Sequence, residues 1–402
     1  MTDHDAAIRA ELARLTRGAL SRRRFLGRAG TLVAGVAVAP SVLAACGSDG
    51  GSKSGGSKSG GGGSGGGGKS VSISNWTSYI SEQSKKDFAR ETGIKLTYTE
   101  DVNDNNEYFA KIRPNLSRNR SIGTDAFVLT DWMANRMINQ VKWTQPLDTA
   151  KFPNKANLRA ALAHPGFDPD RTSSAPWASG VAGIAYNLKS TGKEVKTIED
   201  FLAVSGTKTV LSEMRDTVGL FMLADGKDIK KPTFADAQPS FDRIKQALSD
   251  GTIDGTNGNE YVNDLGSGNL AAAFAWSGDV AQIAKSNPDI KFAVPESGGT
   301  LWSDNFMIPK TTDKADLATE FINFFYDPKN AAVLTAEIQY ISPVDGVADE
   351  LTKLGGDAAK LVENPLVVPT DEFLATLSIF GVLDAEAEQK FDARFAEITG
   401  TG

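Results

Sequence analysis

Apolar residues in this chain follow two rhythms that take turns. VSISNW (71–76) reads as a buried strand, and SEQSKKDFARETG (81–93) then spaces its apolar positions as an amphipathic helix does. Ser81 is placed to cap that helix and Gly93 to end it. IKLTYT (94–99) predicts a strand, and NNEYFAKIRPNL (105–116) a helix that Pro114 disturbs. DAFVLT (125–130) and VAGIAYN (181–187) read as strands, and WMANRMINQ (132–140) and TIEDFLAV (197–204) as helices. The same alternation continues through KTVLS (208–212), DTVGLFMLADG (216–226), SFDRIKQALSD (240–250), NLAAAFAW (269–276), GDVAQIAK (278–285), IKFAVP (290–295) and NFMIP (305–309). Two further helices are predicted around ADLATEFINFFYD (315–327) and KNAAVLTAEIQ (329–339). Alternation of this kind predicts α/β layers, in which ligands bind beyond the carboxyl ends of strands. Trp76, Thr130, Trp276 and the LWSD junction (301–304) are expected at such ends, so distant positions could meet in one cleft.

The first seventy residues break the rhythm. Ser21-Arg22-Arg23 followed by Phe25-Leu26 looks like the twin-arginine export signature, and the apolar run TLVAGVAVAPSVLAA follows it. That run is too short, and too interrupted by Pro40, for a spanning helix. LAAC (43–46) resembles a bacterial lipobox, with Cys46 as the lipidated residue. Residues 1–45 therefore read as a signal peptide and 46–70 as the lipidated cysteine plus a flexible tether. The tail from 47 to 70 holds thirteen glycines. Its formal P-loop match, Gly63 to Gly68-Lys69-Ser70, precedes a strand rather than a helix and is rejected.

At 402 residues and 40% hydrophobic, the chain is long enough for two packed cores. Without the seven arginines and three acids of residues 1–45, the rest carries 36 basic and 47 acidic residues. An acidic body argues against nucleic acid and anionic membrane surfaces as partners. A single cysteine rules out an intrachain disulfide, and the two histidines, His4 and His164, leave only His164 for a catalytic triad. His164 sits in LAHPGFDP, a loop context, and no Cys/His cluster with metal-ligand spacing occurs, so no metal and no cofactor are expected. What does stand out is FAWSGDV (274–280) and LWSDNF (301–306), each with an indole close to a carboxylate. An organic cation would use that pairing. Two core tryptophans beside solvated aspartates are the other reading.

Five segments in order carry a family resemblance. SNWTSYI (74–80), DAFVLTDWMANRM (125–137), SAPWASGVAGIAYN (174–187), AAFAWSGDVA (272–281) and GGTLWSDNFMIP (298–309) resemble motifs of the spermidine/putrescine-binding proteins of bacterial ABC importers. FFYDPKNAAVLTAEIQYISPV (324–344) resembles the helical stretch after them, and the last fifty residues match only loosely. The resemblance implies a type II periplasmic-binding-protein fold with two α/β lobes, a hinge and an interlobe cleft. Lobe 1 would be 71–180 plus 304–349, and lobe 2 183–303 plus 350–400.

By the same resemblance, Trp76 and Trp302 would flank a polyamine's methylene chain, with Trp276 and Tyr79 continuing the aromatic box and Trp132 beside it. Thr77 and Thr130 would offer hydroxyls, and Asp304 would pair with an amine. Asp279 matches an acid of the putrescine-type branch. One segment departs from the pattern. In SEMRDTVG (212–219) the register puts Met214 and Thr217 where spermidine-type members carry acids, with Glu213 and Asp216 one residue away. Asp216 is favoured over Glu213 as the holder of the terminal amine. The implied protein binds without chemistry and is not an enzyme. It would be exported by the twin-arginine pathway, lipid-anchored outside the cytoplasmic membrane, monomeric, and served by a permease and a separate ATPase. The alternatives are the same fold with another cationic or amino solute (an amino acid, an opine or a small peptide) and a lipoprotein hydrolase.

Overall fold

A computed structural model describes residues 69–400, and in it the expected alternation closes into one mixed sheet. The strands are β1 (Ser70–Trp76), β2 (Lys95–Val102), β3 (Ala126–Thr130), β4 (Thr144–Gln145), β5 (Ala175–Asn187), β6 (Lys208–Leu211), β7 (Gly255–Asn257), β8 (Ala272–Trp276), β9 (Ile290–Ala293), β10 (Gly299–Pro309) and β11 (Leu377–Ser378). The main path runs β2-β1-β3-β10-β5-β8-β6-β7, with β4 and β11 on β10 and β9 on β5. Two parallel trios stand at its ends, β2-β1-β3 and β8-β6-β7. Between them the long strands β5 and β10 run antiparallel to each other and to their outer neighbours. Each trio has the strand–helix connections that parallel pairing requires.

Each half packs its own aromatic cluster. On the β1 side, Phe321 meets Phe88, Trp177 and Phe306 at centroid distances of 5.2, 5.8 and 5.9 Å. On the β8 side, Phe274 meets Phe201 and Phe221 at 4.7 and 5.7 Å. The C-terminal helix Ala385–Thr399 joins that second half, with Phe391 set 5.5 Å from Phe234 and 5.7 Å from Phe241.

Local signals were read correctly where the capping chemistry is local. Ser81 caps the helix Glu82–Thr92 through a bond from the Ser84 amide, and Gly93 ends it in the left-handed conformation. Four expectations need correction. The helix Asn105–Leu116 runs through Pro114, which lies in its last turn. The Ser117 amide still bonds to the Arg113 carbonyl at 3.1 Å, so the ring removes a single donor near an end that frays anyway. WMANRMINQ is not one helix: an α turn, Asp131–Asn135, passes into a π-helical turn, Arg136–Gln140. LWSD does not end a strand but sits within the eleven-residue β10, because pairing with both β3 and β5 carries the strand across the middle of the sheet. Ser70, placed in the tether, is the first residue of β1. The signal segment, Cys46 and nearly all of the tether lie outside the described residues.

Candidate functional site

The ends of the two trios face one cleft. Trp76 ends β1, Thr130 ends β3 and Trp276 ends β8, and all three line it. The strand period of two then puts Thr300, Trp302 and Asp304 of β10 on the cleft wall together. Including its open mouth the cleft holds about 730 Å³, the size of a small-molecule site.

An aromatic box forms its apolar part. Trp76 and Trp276 meet edge to face at 5.7 Å, Trp276 and Trp302 at 6.4 Å, Trp302 and Tyr340 at 5.5 Å, and Tyr340 and Tyr79 at 5.1 Å. Two glycines make room for it. A β-carbon on Gly180 would collide with the rings of Trp302 and Tyr340, and one on Gly278 with Tyr340. All eleven residues named from the sequence line this cleft: Trp76, Thr77, Tyr79, Thr130, Trp132, Glu213, Asp216, Trp276, Asp279, Trp302 and Asp304. His164 lies elsewhere, on an exposed loop, with Nδ1 2.7 Å from the Pro169 carbonyl oxygen.

Five carboxylates and one guanidinium are among the lining groups: Asp131, Glu213, Asp216, Asp279 and Asp304 against Arg215. Asp279 accepts from the hydroxyls of Tyr340 at 2.7 Å and Tyr261 at 2.6 Å. Asp216 accepts from Trp276 Nε1 at 2.9 Å and from the Thr300 hydroxyl at 2.7 Å. Asp304 accepts from the Thr130 hydroxyl at 2.8 Å, and the Tyr79 hydroxyl faces it as well. Glu213 Oε1 takes the Asn105 amide at 2.7 Å and its side-chain nitrogen at 2.8 Å, and that same nitrogen reaches the Thr130 hydroxyl at 2.9 Å. Asn105 thereby ties the acid of one half to the hydroxyl of the other. Burial is the first cause that raises every one of these acids. It pushes the Asp304 carboxyl up to about 7 and that of Asp279 up to about 6, and it lifts Glu213 and Asp216 as well.

The departure in SEMRDTVG takes a clear geometric form. Glu213 and Asp216 reach the cleft; Met214 and Thr217 do not line it, and the Thr217 hydroxyl instead donates to the Leu211 carbonyl at 2.7 Å. Two buried donors on the wall have no partner in the protein, Trp76 Nε1 and Trp302 Nε1, and the Tyr79 hydroxyl faces the Asp304 carboxylate. Sequence reasoning missed Asp131, Asn259, Thr300, Leu301 and Tyr340 as wall residues. Thr300 lies in step with Trp302 and Asp304 along one strand, which was a usable signal. Tyr340 carried none, since only the chain's return from the helix Pro328–Ile338 brings it against the box. Ile379 and Phe380, from the loosely matched tail, also close one side.

Residues 83–365 match the family of bacterial extracellular solute-binding proteins. The chain belongs to that family. Among curated proteins, this solute-binding protein is 26% identical over 352 residues to the putrescine-binding periplasmic protein SpuD of Pseudomonas aeruginosa, covering 82% of this chain and 92% of that one. It is also 26% identical over 347 residues to the putrescine-binding periplasmic protein PotF of Escherichia coli, covering 80% and 89%. Among solved structures, it resembles the spermidine/putrescine ABC transporter substrate-binding protein PotD of Streptococcus pneumoniae, with a TM-score of 0.65, 23% identity, and 82% and 98% of the two chains covered. The Tp0655 lipoprotein of Treponema pallidum gives a TM-score of 0.67 at 20% identity, covering 83% and 100%. The fold is the type II periplasmic-binding-protein fold, and β5 and β10 run between the two halves of the sheet.

Proposed function

We propose that this chain captures polyamines, of the putrescine and spermidine class, outside the cytoplasmic membrane and hands them to the permease of an ABC importer. The observation that carries the reading is five carboxylates set around a box of five aromatic rings. A polyamine is an alkane chain with cations along it. It needs apolar walls for the methylenes and a carboxylate for each ammonium, in close geometry that offsets the desolvation of both. The putrescine-binding relatives support the same ligand class. Binding is the whole of the activity, with closure of lobe 1 (71–180 plus 304–349) on lobe 2 (183–303 plus 350–400) trapping the solute, and the ATPase is a separate chain. The protein acts as a monomer, exported by the twin-arginine pathway and held by lipid on Cys46.

Calorimetry on protein freed of co-purified ligand tests this, against putrescine, spermidine, spermine, γ-aminobutyrate, arginine and glutamate. Micromolar or tighter binding of an amine without a carboxylate supports the reading, and its absence sinks it. A second reading is favoured by one observation. The unpartnered donors Trp76 Nε1 and Trp302 Nε1 need acceptors, and a polyamine has only donors. An ω-amino acid, with an ammonium at one end and a carboxylate at the other, would satisfy both sets; tighter binding of γ-aminobutyrate than of any polyamine would select it.

A further inference from the structure

Trp132 is the one cleft aromatic whose ring faces the protein's own cations. The Arg215 guanidinium carbon lies 3.6 Å from its ring centroid and that of Arg136 5.0 Å. Among the described residues Trp132 makes no ring–ring contact, so it stands apart from the continuous box of Trp76, Trp276, Trp302, Tyr340 and Tyr79. Arg215 is itself part of the cleft wall, between Glu213 and Asp216 in sequence, and is only 7% exposed. Its charge is held from behind. Nη2 donates to Glu388 Oε1 at 2.6 Å, and Asp392 lies 3.9 Å from Nη1. Arg136 bonds the same two acids, at 3.1 and 3.2 Å. Both acids sit on the helix Ala385–Thr399, which Phe391 fastens to the helix Phe234–Ser249. Swinging Arg215 out would leave Glu388, also buried, with Arg136 as its remaining cation.

We infer that Arg215 occupies the cation seat on Trp132 from inside the protein, so that the cleft takes a diamine and rejects polyamines with a third ammonium. The inference rests on the polyamine reading and narrows it. A planar guanidinium stacked on an indole uses the π face that a ligand ammonium would need, and its fixed positive charge repels a further ammonium at that end. The remaining wall keeps aromatic rings and the acids Asp304, Asp279 and Asp216 for two ammonium groups.

The test is calorimetry on the full chain with putrescine, cadaverine, spermidine and spermine, for the wild type and for Arg215→Gln, which removes the charge and keeps most of the length. The expected wild-type result is a diamine bound about 10-fold or more tighter than spermidine, a gap of about 1.4 kcal/mol. In Arg215→Gln that ratio should shrink by about 10-fold, mainly through tighter spermidine binding. A ratio unchanged in the variant overturns the inference. Should Arg215→Gln fail to fold, the wild type alone decides, and spermidine bound as tightly as the diamine overturns it. Diamine binding with either of those failures leaves the polyamine reading standing; no amine binding at all removes both.

Discussion

FAWSGDV and LWSDNF look alike as sequences and differ as structures. In the first, Trp276 ends β8 and Asp279 lies in the first turn of the helix Ser277–Ser286. Every polar group there is provided for: Trp276 Nε1 donates to Asp216, and Asp279 takes two tyrosine hydroxyls. In the second, both residues lie in the middle of β10. Trp302 Nε1 has no partner in the protein, and Asp304 takes the Thr130 hydroxyl at 2.8 Å with the Tyr79 hydroxyl facing it. The first motif has its polar groups partnered, and its carboxylates keep only their remaining lone pairs for a ligand. The second is left with unused bonding capacity at Trp302 Nε1, and burial raises the carboxyls of both motifs. An indole beside an acid thus acts as framework or as a waiting site according to what else reaches it.

That contrast can be broken by substitution. The largest expected effect is on stability, in Asp279→Ala. Two buried tyrosine hydroxyls lose their acceptor, which costs about 2 kcal/mol in chemical denaturation. A variant as stable as the wild type would remove Asp279 from the framework. Asp304→Asn should act the other way, weakening diamine affinity by about 10-fold or more while sparing the fold. Equal affinity in calorimetry would take Asp304 out of the site.

Acidity sharpens the contrast further. A bound ammonium favours ionised Asp304, whose carboxyl in the free protein titrates at about 7. Affinity should therefore fall several-fold, roughly 10-fold at most, as pH drops from about 7.5 to 6, and binding should release a proton in that window. In Asp304→Asn both signatures should fade. The sign for stability is opposite to the usual carboxylate. The folded-state value lies above the unfolded one, so the folded protein holds the extra proton, and the stability it contributes is lost as pH rises from about 4 towards 7. Ligand-free Asp304→Asn should accordingly melt higher than wild type at pH 7.5; a lower Tm would contradict the burial argument. The smallest effect is expected from Gly180→Ala. Its new methyl would push on the Trp302 and Tyr340 rings and weaken binding about threefold in calorimetry.

Much of the site was legible because its residues are marked twice, by type and by position at or beside a strand end. Trp76, Thr130 and Trp276 are of that kind, and parallel strands send their carboxyl ends to one place. Thr77 and Tyr79 follow Trp76 directly, and Trp132 follows Thr130 by two residues. Asn105 was not legible. It opens a helix in one half and binds Glu213 from the other, a pairing across 108 residues that no local pattern announces. Nor could the register of Glu213 and Asp216 be read from a helix start. One residue of shift turns a side chain by about 100°, and only packing against β8 and β10 chose the face.

By itself the sequence determined the alternation of strands and helices, the caps at Ser81 and Gly93, the acidic balance and the aromatic and acidic residues that line the cleft. These follow from short-range rules: periodicity, backbone preference and composition. Tertiary structure alone decided which carboxylates are already bonded, which indoles lack a partner, and that Arg215 covers Trp132. Those are properties of neighbours brought together from 18 to 174 residues apart. Burial, which raises the acids, exists only once both halves have closed around the same space.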